Sequence, residues 1–128
     1  MKSKRILQGV VAIAGLVPVS AGLAVVLQGP AMLDGDAFLT VSFDSHFRYL
    51  SGLLLAIGLA FWSTIRDIES KTERFGTLAF LVVVGGLARI VSLWVSGMPD
   101  RSMLFASGME LIVTPVLAFW QFRLSLRR

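Results

Sequence analysis

The chain has no cysteine, one histidine and one tyrosine among its 128 residues. Without cysteine there can be no disulfide, no thiolate metal site and no cysteine nucleophile. The single histidine, His46, cannot build a multi-histidine metal site, although carboxylates could supplement it. Charge is also scarce. Only 16% of residues are Asp, Glu, Lys or Arg, against about a quarter in an ordinary soluble domain. A chain this short, with 55% apolar residues, has too little interior to hide its hydrocarbon, and the excess calls for lipid as a second solvent. There is no glycine-rich phosphate loop followed by lysine and no serine nucleophile motif. Neither an enzyme nor a cofactor is therefore read from the chain. The net charge of +4 would raise nucleic acid as a partner of a soluble protein. Here the basic residues flank apolar runs, which is a topology signal, and nucleic acid is not expected.

Four apolar runs are present, over residues 6–28, 47–65, 75–97 and 102–122. The first is uncharged. The others carry one charge each: Arg48, Arg89 and Glu110. A spanning helix needs about 20 residues at 1.5 Å each, and in lipid a segment must satisfy its own backbone. The prediction is an all-α, four-helix transmembrane bundle forming a single domain over residues 1–128, with the second run the least comfortable span. Met1 to Arg5 with the run behind it could be a cleaved signal, with Val19-Ser20-Ala21 as its cleavage site. The run continues to Leu27, beyond the 7–15 residues usual for such a signal's core, so a retained helix is expected.

Orientation follows from the basic residues. With four crossings, Lys2, Lys4, Arg5, Arg66, Lys71, Arg74, Arg123, Arg127 and Arg128 all fall on one side, and Arg101 stands alone on the other. The positive-inside rule makes the first side cytoplasmic, so both termini are expected there. The loop from Gly29 to Ser45 carries Asp34, Asp36 and Asp44 with Phe38, Leu39, Val41 and Phe43; it reads either as an interfacial helix or flap or as a plain connector. Arg66 to Arg74 reads as a solvated loop. Gly52, Ala56 and Ala60 form a small-residue stripe on the second helix, while Ala12, Gly15 and Gly22 lie near one face of the first, and these suit close helix crossings. Pro18 and Pro115 are expected to bend their helices, and Trp62, Trp94 and Trp120 fall where an aromatic belt would be.

Ionisable residues inside a span are costly, so they mark the candidate site. Arg89 lies eight residues in from Gly97, and Glu110 eight in from Ser102. Both are then about 12 Å deep on neighbouring antiparallel helices, which predicts an Arg89–Glu110 ion pair. Gly85, Arg89, Ser92 and Ser96 share one helical face; Ser107, Glu110 and Thr114 share another; Arg48, Gly52 and Ala56 share a third. The candidate ligand-binding residues are Arg48, Arg89 and Glu110, with Tyr49, His46 and Ser92 behind them. A spare guanidinium could hold a carboxylate or phosphate. Alternatively the pair locks two helices in register, Arg48 snorkels or pairs with Asp44, and His46 makes an interfacial hydrogen bond. Glu110 as a proton relay would need burial to outweigh Arg89.

His46-Phe-Arg-Tyr-Leu-Ser-Gly52 with Gly58, Gly85-Gly-Leu-Ala-Arg89 and the later Glu110 resemble features of the second, third and fourth helices of the bacterial domain of unknown function 4345 family. The resemblance covers nearly the whole chain. It implies a small four-helix protein of the bacterial inner membrane and no activity. The expectation is a non-catalytic ligand- or partner-binding module, with membrane lipids, a membrane protein or a second copy as partners. The rivals are a small proton-coupled transporter acting as a dimer and an accessory subunit of a membrane complex.

Overall fold

A computed structural model describes the backbone of residues 2–32, 40–99 and 101–128. Among them the fold is all-α, with no strand. The four long helices are α1 (Lys2–Gln28), α2 (Val41–Trp62), α3 (Thr72–Ser96) and α4 (Arg101–Ser125). α1, α3 and α4 are long and apolar enough to cross a membrane; α2 is not among them. That corrects the expectation that all four runs qualify, and the cause lies at the start of α2. Thr40 caps the helix by accepting the Phe43 N–H at 3.0 Å, so the helix starts at Val41 and not near residue 47. Its first two turns carry Ser42, Asp44, Ser45, His46 and Arg48, and it stops at Trp62, short of residue 65. Hydropathy registers the apolar run but not the cap. Val41, Phe43 and Asp44 are therefore helical. The interfacial helix or flap expected over Asp34, Asp36, Phe38 and Leu39 lies outside the described residues.

Met1–Gln8 with Arg66–Arg128 form one compact unit, and Gly9–Ile65 form another. In the Gly9–Ile65 unit, α1 and α2 touch through small residues. A Cβ on Gly22 would sit 2.7 Å from both the Leu55 nitrogen and the Ser51 oxygen, which is closer than any side chain permits. Ser51 and Gly58 are the buried positions of α2, and with Leu55 they follow the i, i+4, i+7 spacing of one helical face. Within the chain, the α1 contact uses this face and not the stripe of Gly52, Ala56 and Ala60: Ala56 is exposed, and Val26 is 3.8 Å from a Cβ on Gly52. Several small-residue stripes fit one helix, and packing chooses among them. Trp62 covers Gly15 and donates its Nε1 to the Ala12 carbonyl at 3.1 Å.

In the other unit, Phe75, Leu78, Ala79 and Gly86 of α3 are buried, as are Leu117, Gln121 and Leu124 of α4. Gln121 donates to the Ile68 carbonyl at 2.8 Å and to Thr72 Oγ1 at 3.0 Å. Ile68 is fully buried in the short 3-10 turn Ile68–Ser70. The expected solvated loop is therefore a pinned connector, because an apolar residue and a buried amide hold it. The N-terminal turn of α1 joins the same region. Lys4 and Glu69 form a 2.7 Å ion pair, and Trp120 donates to Ser3 Oγ at 3.0 Å. Two of the three tryptophans thus find protein hydrogen-bond partners; Trp94 is 84% exposed.

Candidate functional site

Gly86 lets α3 and α4 come together one turn before Arg89. A Cβ there would fall 2.8 Å from Leu111 Cδ2 and 3.0 Å from Glu110 Cβ. Of the adjacent pair Gly85 and Gly86, both suited to a close crossing, Gly85 shares the spacing of the Arg89 face but is exposed and meets nothing within 4 Å; helical spacing alone cannot separate adjacent glycines. Arg89 then reaches Glu110 across the contact. Its Nε donates to both carboxylate oxygens, at 3.1 and 2.9 Å. Its Nη1 points at the Met103 sulfur at 3.1 Å, a weak acceptor. Nη2 makes no hydrogen bond among the described residues. The arginine side chain is 34% exposed and the glutamate 14%.

Glu110 sits in a π turn. Over Met109–Val113 the ladder widens, and the Thr114 N–H bonds to the Met109 carbonyl, five residues back. The Thr114 hydroxyl donates to the same carbonyl at 2.8 Å. Pro115 is the physical cause. It has no N–H for the ladder, and its ring presses on the carbonyl four residues back, so one surplus residue in a wider turn relieves the crowding. The bend expected at Pro115 is thus a local change of helix type. Its only sequence signal is a Thr-Pro step inside an apolar span. Met103 was not foreseen either; its sole signal is a position one heptad before Glu110.

Arg48 is held differently. Its Nε and Nη2 donate to the two oxygens of Asp44, at 2.8 and 3.3 Å, and Nη1 donates to the Val26 carbonyl at 2.8 Å. The guanidinium thus supplies a partner to the last turn of α1, whose final carbonyls lack helical donors. Gly29 follows with φ of 73°, a left-handed conformation suited to a residue without Cβ, and a Cβ there would strike the guanidinium. Among the other candidates, His46, Tyr49 and Ser92 are all exposed. Ser107 turns its hydroxyl back to the Met103 carbonyl at 3.0 Å. The structure therefore joins Arg89, Glu110 and Met103 at one point, and Arg48 with Asp44 and the end of α1. Among the described residues no three His, Cys, Asp or Glu side chains could hold a metal ion.

No curated protein matches the chain, and no solved structure does. The family model described as Domain of unknown function (DUF4345) matches residues 6–121, and the chain belongs to that family.

Proposed function

We propose that this chain is a multi-pass protein of the bacterial inner membrane that binds a lipid-like anionic amphiphile at Arg89 and catalyses no reaction. It crosses four times with both termini cytoplasmic. α2 is counted as the fourth crossing despite its polar first turns, because three crossings would split Lys2, Lys4, Arg5, Arg66, Lys71, Arg74, Arg123, Arg127 and Arg128 between the two sides. Four crossings gather them, with both termini, on the side that the positive-inside rule makes cytoplasmic. The binding reading is carried by one observation. Glu110 occupies only the Nε of Arg89, which leaves the Nη edge with a thioether and no oxygen acceptor among the described residues. A guanidinium cannot shed its proton, and unsatisfied donors within hydrocarbon are costly. The open edge holds donors only, so it selects an anion over a cation. Its two nitrogens match the paired oxygens of a carboxylate or phosphate.

The test is to purify the wild type, Arg89→Lys and Arg89→Gln from native membrane and weigh the retained lipid by native mass spectrometry. The wild type should carry an anionic amphiphile that Arg89→Gln loses and Arg89→Lys retains in part. Equal retention by all three would overturn the reading. A proton-coupled transporter would instead lose proton-driven uptake in Glu110→Gln.

A further inference from the structure

We infer a second anion site, distinct from Arg89, in the open groove where the 66–71 connector meets α3: it takes the phosphate group of an anionic phospholipid or of a soluble phosphate. A cavity of about 550 Å³ is lined by Ser70, Lys71, Thr72, Glu73, Arg74, Thr77 and Leu78. Its walls are preformed. Gln121 fixes the Ile68 carbonyl and the Thr72 hydroxyl, the Ser70 hydroxyl is turned back to the Asp67 carbonyl at 2.9 Å, and the Lys4–Glu69 pair ties the connector to α1. A site already in its bound shape loses less ordering entropy on binding.

The charges favour an anion. Lys71 and Arg74 stand three residues apart on the groove, with Glu73 the one acid in its lining. No Lys71 ammonium contact is made among the described residues, while Arg74, engaged within the protein, contributes its charge. Beyond them the helix offers an apolar lane. Thr77, Leu81 and Val84 are all exposed, and with Arg74 they follow the i, i+3, i+7, i+10 order of one face. A phosphate held at Lys71 and Arg74 would thus have a hydroxyl beside it and hydrocarbon below it, as a phospholipid requires. Each basic side chain near a membrane surface is worth about 1 kcal/mol toward anionic lipid.

The inference uses the membrane placement of α3 but not ligand binding at Arg89, and the experiment separates the two. The full chain is titrated in nanodiscs of phosphatidylcholine with increasing phosphatidylglycerol, and separately in detergent with inorganic phosphate, reading bound lipid by native mass spectrometry and Tm. Wild type should prefer phosphatidylglycerol. Lys71→Gln with Arg74→Gln should weaken that preference about thirtyfold, which is two such contributions converted at 1.36 kcal/mol per decade. Glu73→Gln, which removes the opposing charge without touching the packing, should strengthen it. Arg89→Gln should leave it unchanged. Saturable Tm elevation by inorganic phosphate, lost in the double variant, would assign the groove to soluble phosphate; its absence together with phosphatidylglycerol preference assigns it to lipid. If neither probe distinguishes wild type from the double variant and from Glu73→Gln, the site does not exist.

Discussion

Arg48 and Arg89 each hold a carboxylate at close to the same distance, 2.8 and 2.9 Å, but the carboxylates come from different places. Asp44 lies one turn back on the same helix as Arg48, so that pair forms as soon as α2 does. The remaining guanidinium nitrogen then serves the Val26 carbonyl, and every nitrogen of Arg48 has an oxygen acceptor. Glu110 lies on a different helix from Arg89, inside a π turn, and satisfies a single nitrogen. One arginine is consumed by finishing a helix end, and the other has no oxygen acceptor on its Nη edge among the described residues. A charge in an apolar helix therefore marks a candidate site only when its donors have not already been used by the fold.

The largest effect should come from removing the acid that Arg89 depends on. Glu110→Ala leaves a charged guanidinium in an apolar span. Breaking a fully buried pair costs about 3–5 kcal/mol; with a third of the arginine exposed, roughly 2 kcal/mol is expected from the same rule after solvent screening. Unfolding in detergent measures it, and a double-mutant cycle with Arg89→Ala should show coupling of about 1 kcal/mol or more. Strict additivity would break the comparison, since Arg89 would then owe nothing to Glu110.

Gly22→Ala comes next and tests what holds the Gly9–Ile65 unit together. The added methyl meets the backbone of α2, which cannot rotate away, and overpacking of this kind costs about 1–3 kcal/mol. A neutral result would mean that the Arg48 region tolerates a wider crossing than its geometry shows. Asp44→Ala should cost less, about 0.5 kcal/mol, because Arg48 keeps the Val26 carbonyl and both side chains of the pair are more than a third exposed. A loss as large as that of Glu110→Ala would erase the contrast between the two arginines.

The smallest effect concerns the Lys4–Glu69 tether. The hydrogen bond from Lys4 holds the Glu69 carboxyl below its ordinary value; its own backbone N–H and the charges of Lys4 and Arg128 lower it too, against an opposing contribution from burial. With a lowered folded value, the tether's stabilisation is fully present above the ordinary glutamate pKa of about 4.3 and is lost as pH falls through the folded value. Tm measured from about pH 6 down to pH 3 should fall less steeply in Lys4→Ala than in wild type, if this pair carries part of the acid sensitivity. Parallel curves would remove the tether from the account.

Much of this molecule was legible without coordinates. Four long helices follow from four apolar runs, because hydrocarbon leaves the backbone few other ways to satisfy itself. The Arg89–Glu110 contact follows from equal sequence distance, eight residues on either side, from the helix break between Gly97 and Ser102. The boundaries of α2 and α3 were less accessible: Thr40 caps a polar turn that hydropathy discounts, and the connector holding Ile68 looks solvated until Gln121 is seen to reach it.

Composition and periodicity alone established the all-α class, the lipid-seeking character and the identity of the costly charges, since each depends on local chemistry or on one helix's repeat. Only the folded chain decided that Gly86 and not Gly85 admits α4, that Ser51 and Gly58 line the α1 contact, that Pro115 produces a π turn around Glu110, and which arginine lacks an oxygen acceptor on its Nη edge among the described residues. These depend on how close two backbones come and on which acceptor is nearest in space, quantities that no single helix's spacing contains.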